Sequence, residues 1–253
     1  MTTNKIALVT GGSRGLGKNM ALSLAKKGTD VIITYNTRRD EAQGVVAEIK
    51  KLDRLASALQ LDVGDSKSFD SFISSLKSTL KQDFGTSTFD FLVNNAGLGI
   101  YAPFNETTED QFDLLVNVHF KGAFFLTQRA LPVLNDGGRI INISSGLARF
   151  SNPGYAAYAA MKGAIETLTR YQAKELGVRK IAVNTVAPGA IETDFGGGVV
   201  RDNAQLNQHI ASITALGRVG IADDIGGVVA FLCSEEARWI NGQRIEVAGG
   251  VNL

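Results

Sequence analysis

Four apolar residues, Ile6-Ala7-Leu8-Val9, run directly into Thr10-Gly11-Gly12-Ser13-Arg14-Gly15-Leu16-Gly17, and a helix-like pattern follows to residue 27. A short β-branched run, a glycine turn and a helix in that order restrict the chain to folds that open with a β-α unit. Glycines at the turn let backbone N–H groups approach a diphosphate, and the helix behind offers its positive end. Residues 12–18 also spell G-x-x-x-x-G-K, but Asn19 stands where a P-loop nucleotidase carries the Ser/Thr that holds magnesium. The P-loop reading is therefore set aside.

The same alternation continues along the chain. Apolar runs at 6–10, 31–34, 58–61, 89–93, 140–143, 182–186 and 245–247 are separated by helical patterns at 16–27, 41–51, 69–80, 112–134, 155–176 and 223–232. Runs without polar alternation suit a parallel sheet covered on both faces. The expected fold is a single-domain α/β Rossmann fold spanning residues 1–253, a doubly wound, mostly parallel sheet of about seven strands with helices on both faces. Pro132 should stop or kink the 112–134 pattern. The least regular stretch, 195–215, opens with Gly196-Gly197-Gly198 and reads as a mobile substrate flap.

Composition excludes several functions. With 26 Lys+Arg against 25 Asp+Glu, the net charge of +1 lacks the basic footprint of a nucleic-acid binder. One Cys and two well-separated His, His119 and His209, argue against a disulfide framework and against a metal centre. No apolar run is long enough for a membrane span or a signal-peptide core, so a cytoplasmic protein is expected.

Four further motifs follow in order: Asn94-Asn95-Ala96-Gly97, Tyr158-x-x-x-Lys162, Pro188-Gly189-x-x-x-Thr193, and a late segment from Gly217-Arg218 through Gly242-Gln243 to Gly249-Gly250. Together with the T-G-x-x-x-G-x-G turn they resemble the short-chain dehydrogenase/reductase family along the entire chain. The resemblance implies hydride transfer between a nicotinamide cofactor and a carbonyl/secondary alcohol substrate. It implies Tyr158 as acid/base, Lys162 as its aid and a ligand of the nicotinamide ribose, and Ser145 as the donor to the substrate oxygen. Tyr158 and Lys162, four apart, share one helix face, where an ammonium should favour the phenolate. Ser145 is preferred over Ser144 because it lies 13 residues before Tyr158. Tyr155 is a decoy, having Ala159 four residues on.

For the cofactor, the resemblance implies Gly11, Ser13, Arg14, Gly15, Leu16 and Gly17 around the diphosphate and Asp62-Val63 at the adenine. It places Asn95, Ala96 and Gly97 near the adjoining ribose, and Pro188, Gly189, Ile191 and Thr193 along the carboxamide and phosphates. The second strand leads into Asn36-Thr37-Arg38 with no carboxylate before Asp40. Arg14 and Arg38 then favour a 2′-phosphate, hence NADP(H) over NAD(H).

One departure concerns the family's relay Asn. Aligning Lys121-Gly122-Ala123-Phe124 puts His119 in its place, with Asn117 two residues too early. Either ring nitrogen could serve a water relay, or the ring could simply be packed against backbone. The substrate wall would comprise 98–101, 147–155 and the flap. Reduction of a 3-oxoacyl group on an acyl carrier protein is one alternative; Lys174 could greet the acidic carrier, but Pro132 and Arg129 make the second helix equivocal. Oxidation of a glucose-type sugar is another, and a non-catalytic NADP-binding regulator is a third. A homo-oligomer, a tetramer built on the fourth and fifth crossover helices, follows from the resemblance alone. Cys233 and Trp239 read as core or subunit-contact residues.

Overall fold

The computed structural model describes residues 4–253. Seven strands, β1 (Ile6–Val9), β2 (Asp30–Tyr35), β3 (Ala56–Gln60), β4 (Phe89–Asn94), β5 (Leu134–Ile143), β6 (Ala182–Pro188) and β7 (Arg244–Val247), form one sheet in the order β3-β2-β1-β4-β5-β6-β7. Every neighbouring pair is parallel. Strand period decides which helices cover which face. In β1, Ala7 and Val9 point to one side and Ile6 and Leu8 to the other, because successive side chains alternate across a strand. The first side packs α1 (Gly15–Lys26) and α2 (Arg39–Lys50) through Met20, Leu24, Val45 and Ile49. The second packs α3 (Phe69–Asp83) through Phe69, Phe72, Leu76 and Leu80. Both sides being buried, the strands need no polar alternation, as the sequence showed.

The 112–134 pattern is not one helix. It divides into α4 (Glu109–Leu115), a π-helical turn (Val116–Lys121) and α5 (Gly122–Ala130), and a 3₁₀ turn with Pro132 ends it. Capping by Thr108 and Gln111 explains the earlier start of α4: each side chain bonds the other's backbone N–H. Helix α6 (Ala156–Leu176) follows β5. The 195–215 stretch is more regular than its glycines suggested. It holds a 3₁₀ turn (Phe195–Gly198), α7 (Val199–Asp202) and α8 (Ala204–Ser212), with Gly196, Gly197 and Gly198 all at positive φ. Helix α9 (Asp223–Leu232) returns to pack on α1, where Gly226 lies against Asn19 and Ser23. Cys233 is buried in the core, and burial pushes its thiol up to about 12. Trp239, 97% exposed, is not a core residue of this chain. Among the described residues no helix is long and apolar enough to cross a membrane.

Candidate active site

Strand order reverses between β1 and β4, and ligands of open α/β sheets gather beyond the carboxyl ends at such a point. Thr10 joins the two strand ends. Its hydroxyl accepts from Asn95 N at 2.9 Å and Ala96 N at 3.0 Å and donates to Val93 O at 3.2 Å. The Asn95 carboxamide donates to Thr10 O at 2.8 Å and Gly11 O at 3.3 Å, so this side chain shapes the glycine turn. Gly11 and Gly15 have φ of +64° and +54°, a region that disfavours side chains. A Cβ at Gly17 would lie 2.1 Å from Gly11 O. That contact explains why the helix start must be glycine.

The turn fits a dinucleotide phosphate. Arg14 is the N-cap of α1 and makes no side-chain cap, and the first turn carries no acid. Helix N-terminal N–H groups need acceptors, which an anion provides. The open side of Gly15 faces Thr193, whose Cβ would stand 3.7 Å from an added methyl, so the two cofactor segments meet here. Ile191, just after Pro188 and Gly189 at the end of β6, bridges Gly220. Ala96 packs on Gly11, Gly97 on the His119 ring, and Val63 O lies against Gly122. Asp62 is exposed and caps its own turn by accepting from Gly64 N at 2.8 Å. Ser13, Leu16, Asn36 and Thr37 lie along the same rim, none of them buried. The two arginines are not free as the sequence suggested. Arg14 pairs with Asp194 at 3.3 Å and Arg38 pairs with Glu41 one helical turn on. A bound phosphate would therefore exchange one partner for another.

Ser145, Tyr158 and Lys162 converge beside this rim. Ser145, two residues past the end of β5, caps a short turn, its Oγ accepting from Leu147 N at 3.2 Å. Tyr158 is buried between the His119 ring, edge-on at 5.1 Å, and the Phe195 ring at 5.8 Å. Lys162 Nζ stands 5.5 Å from the Tyr158 ring centre and donates to Ile143 O at 2.8 Å. Burial draws Lys162 down to about 7. The expectation that its ammonium favours the phenolate is corrected here: burial dominates and raises the Tyr158 phenol above its ordinary value, with the Ser145 hydroxyl opposing. Burial therefore favours the neutral phenol over the phenolate.

His119 sits on the π-helical turn, buried, with Nε2 donating to Leu98 O at 2.7 Å. Burial and then the Lys162 charge lower it to about 3, so the ring is neutral and Nδ1 is an acceptor. Nδ1 and Asn94 Oδ1 are both buried without a protein partner. Both residues line, with Lys162, a cavity of about 10 Å³, roughly the space one water requires. Asn94 is held by bonds to Thr127 at 2.9 Å and Asn142 at 2.8 Å.

Tyr101, Tyr155 and Phe195 all fall within the segments expected to wall the substrate, but their ring contacts were not foreseen: Phe195 packs on Tyr158, and Tyr101 meets Tyr155 edge-on at 5.5 Å.

The glycine turn and switch point are those of a nucleotide-binding Rossmann sheet, and Ser145, Tyr158 and Lys162 converge beside them. Comparison with known proteins agrees. Residues 11–252 match the family model described as enoyl-(acyl carrier protein) reductase. A hydroxynaphthalene reductase-like protein of Metarhizium brunneum is 38% identical over 97% of this chain and 94% of its own length. Among solved structures, the promiscuous reductase LugOII, which catalyses keto-reduction at C1 in lugdunomycin biosynthesis, is 40% identical with a TM-score of 0.93, covering 98% of this chain and 97% of that one. The angucycline C-6 ketoreductase LanV with bound NADP is 38% identical with a TM-score of 0.93, covering 98% and 95%. The chain belongs to the short-chain dehydrogenase/reductase family.

Proposed function

We propose that this protein is an NADPH-dependent ketoreductase that reduces a carbonyl on a planar, fused-ring aromatic substrate through Ser145, Tyr158 and Lys162. The observation that carries the reading is the neutral, buried Tyr158 beside Ser145 and Lys162 at the carboxyl ends of β4 and β5. The bound nicotinamide supplies the hydride. Ser145 Oγ and Tyr158 Oη would share the carbonyl oxygen, and Tyr158 would give its proton to the alkoxide as it forms. The phenolate left behind faces the Lys162 ammonium, which offsets part of the cost of a buried anion. A water held by Lys162, His119 Nδ1 and Asn94 Oδ1 would return the proton, the role for which we propose His119.

Aromatic surface supports the substrate class. Phe195 packs on Tyr158, Tyr101 meets Tyr155 edge-on, and aromatic faces favour flat rings. Relatives named for hydroxynaphthalene and angucycline reduction point the same way. Residues 195–215 would close over the substrate. Reduction on an acyl carrier protein is less well supported, because Arg129 is paired with Asp70 at 2.9 Å. The exposed Phe124 and Phe125 on α5 and Tyr171 on α6 suit the tetramer that family membership suggests. A panel of fused-ring ketones, sugars and acyl thioesters with NADPH tests the reading. Turnover is expected with the aromatic ketones, and sole use of sugars or thioesters would refute it.

Cofactor choice gives a measurable ratio. Two charge-assisted contacts to the 2′-phosphate are worth roughly 3 kcal/mol, less roughly 0.5 kcal/mol for each of the two exposed pairs given up. A net of about 2 kcal/mol is roughly a thirtyfold preference for NADPH over NADH in kcat/KM. Neutral replacements at Arg14 and Arg38 should erase most of it by raising the NADPH KM.

His119 predicts acid sensitivity. Its folded value of about 3 lies below the ordinary 6.5, so the unfolded chain takes up the proton first. Stability is then complete above pH 6.5 and falls as pH drops towards 3, by about 2 kcal/mol at about pH 5. His119→Asn should remove that slope in urea unfolding at the two pH values and keep most turnover, whereas His119→Ala should slow turnover.

A further inference from the structure

The turn that carries Ser145 is gripped at both ends by a charged cluster outside the reacting groups. Ser144 Oγ, buried, donates to Glu166 Oε1 at 2.7 Å. The same carboxylate oxygen receives Arg244 Nε at 2.6 Å. The guanidinium reaches Ser145 O through Nη2 at 3.4 Å and Glu246 through Nη1 at 3.1 Å. Glu246 in turn holds Arg149 at 2.9 Å, at the far end of the turn. Side chains of Glu166, Arg244 and Glu246 are only 16%, 22% and 24% exposed, so solvent screens them weakly.

We infer that Arg244 and Glu166 are positioning residues for Ser145, a fork on β7 and a carboxylate on α6 that together fix where the Ser145 hydroxyl meets the substrate oxygen. The physical reason lies in geometry. Ser145 lies two residues past the end of β5: Ser144 N still donates to Val186 O at 2.8 Å, but Ser145 itself makes no ladder bond, and its hydroxyl engages only its own turn and Tyr158. Arginine can hold three partners at once with a planar fork, and here it spans Glu166, Glu246 and the Ser145 carbonyl. Glu166 alone would be a charge stranded one helical turn from Lys162; Arg244 neutralises it while using it as an anchor. Arg149 extends the grip to the substrate wall. The inference rests on the role proposed above for Ser145, and neither residue touches the substrate.

A double-mutant cycle separates positioning from general support. Arg244→Met should lower kcat with an aromatic ketone by on the order of tenfold to a hundredfold, the range expected when a reacting group is displaced. NADPH affinity, read by fluorescence, should not change. In a Ser145→Ala background the same substitution should cost almost nothing, because the group it positions is gone. Multiplicative losses in the double variant would overturn the inference while leaving the ketoreductase reading intact. If Arg244→Met does not fold, Glu166→Gln/Arg244→Met removes the stranded charge and the cycle is run there. Hydrogen exchange at 144–149 reads the grip without turnover. It should rise in the Arg244 variant with the rest of the sheet unchanged, and unaltered exchange would overturn the inference even for an inactive enzyme.

Discussion

Tyr158→Phe is expected to lower kcat by at least ~10²–10⁴-fold, the contribution typical of a positioned acid/base. The size follows from burial. A phenol pushed above its ordinary value donates poorly unless the acceptor becomes a strong base, which the nascent alkoxide is. Without the hydroxyl, only Ser145 would remain to meet the negative charge. The ring that His119 and Phe195 pack against is retained by phenylalanine, so the fold and NADPH affinity should be unchanged. Wild-type turnover by the variant would assign the proton to another group. Loss of NADPH binding would show that the phenol serves the cofactor.

Gly17→Ala is expected to have the second-largest effect, on binding. An added methyl would sit 2.1 Å from Gly11 O and 2.5 Å from Asn95 Nδ2, against backbone and a side chain already committed to the turn. Neither can yield cheaply: Asn95 holds the Thr10 and Gly11 carbonyls, and those carbonyls fix the diphosphate turn. Overpacking of this kind costs about 1–3 kcal/mol or more. Because the strain falls on the turn itself, the NADPH dissociation constant should rise by about a hundredfold or more, equivalent to roughly 3 kcal/mol. Titration of intrinsic fluorescence with NADPH checks it. Gly227→Ala is the matched control: its helix position leaves the added methyl in open space.

The sheet was legible because both its faces are buried. Ile6-Ala7-Leu8-Val9 needs no polar alternation when Ala7 and Val9 meet α1 and α2 while Ile6 and Leu8 meet α3. Ser145, Tyr158 and Lys162 were legible as a spacing, and the structure brings them together. Other features depend on contacts distant in sequence. A helical period does not reveal that 116–121 winds as a π turn, which aims His119 at Leu98 O. The expected push of Lys162 on the phenol overlooked desolvation of both groups, a property of the folded interior. Arg14 and Arg38 read as free cations because Asp194 lies 180 residues from one, while the Glu41 that engages the other needed a helix start at Arg39. Of the two readings the sequence left for Trp239, core or subunit contact, near-complete exposure removes the core.

Hydride transfer from NADPH to a carbonyl carbon is open to a single isotope measurement. NADPH deuterated at the transferring position, incubated with the protein and a fused-ring aromatic ketone, tests it directly by mass spectrometry of the product. One deuterium is expected on the new carbinol carbon in the wild-type reaction and almost none with Tyr158→Phe. Tight NADPH binding with no deuterium transferred to any carbonyl of the panel would contradict it, and would identify a protein that senses the cofactor without turning it over.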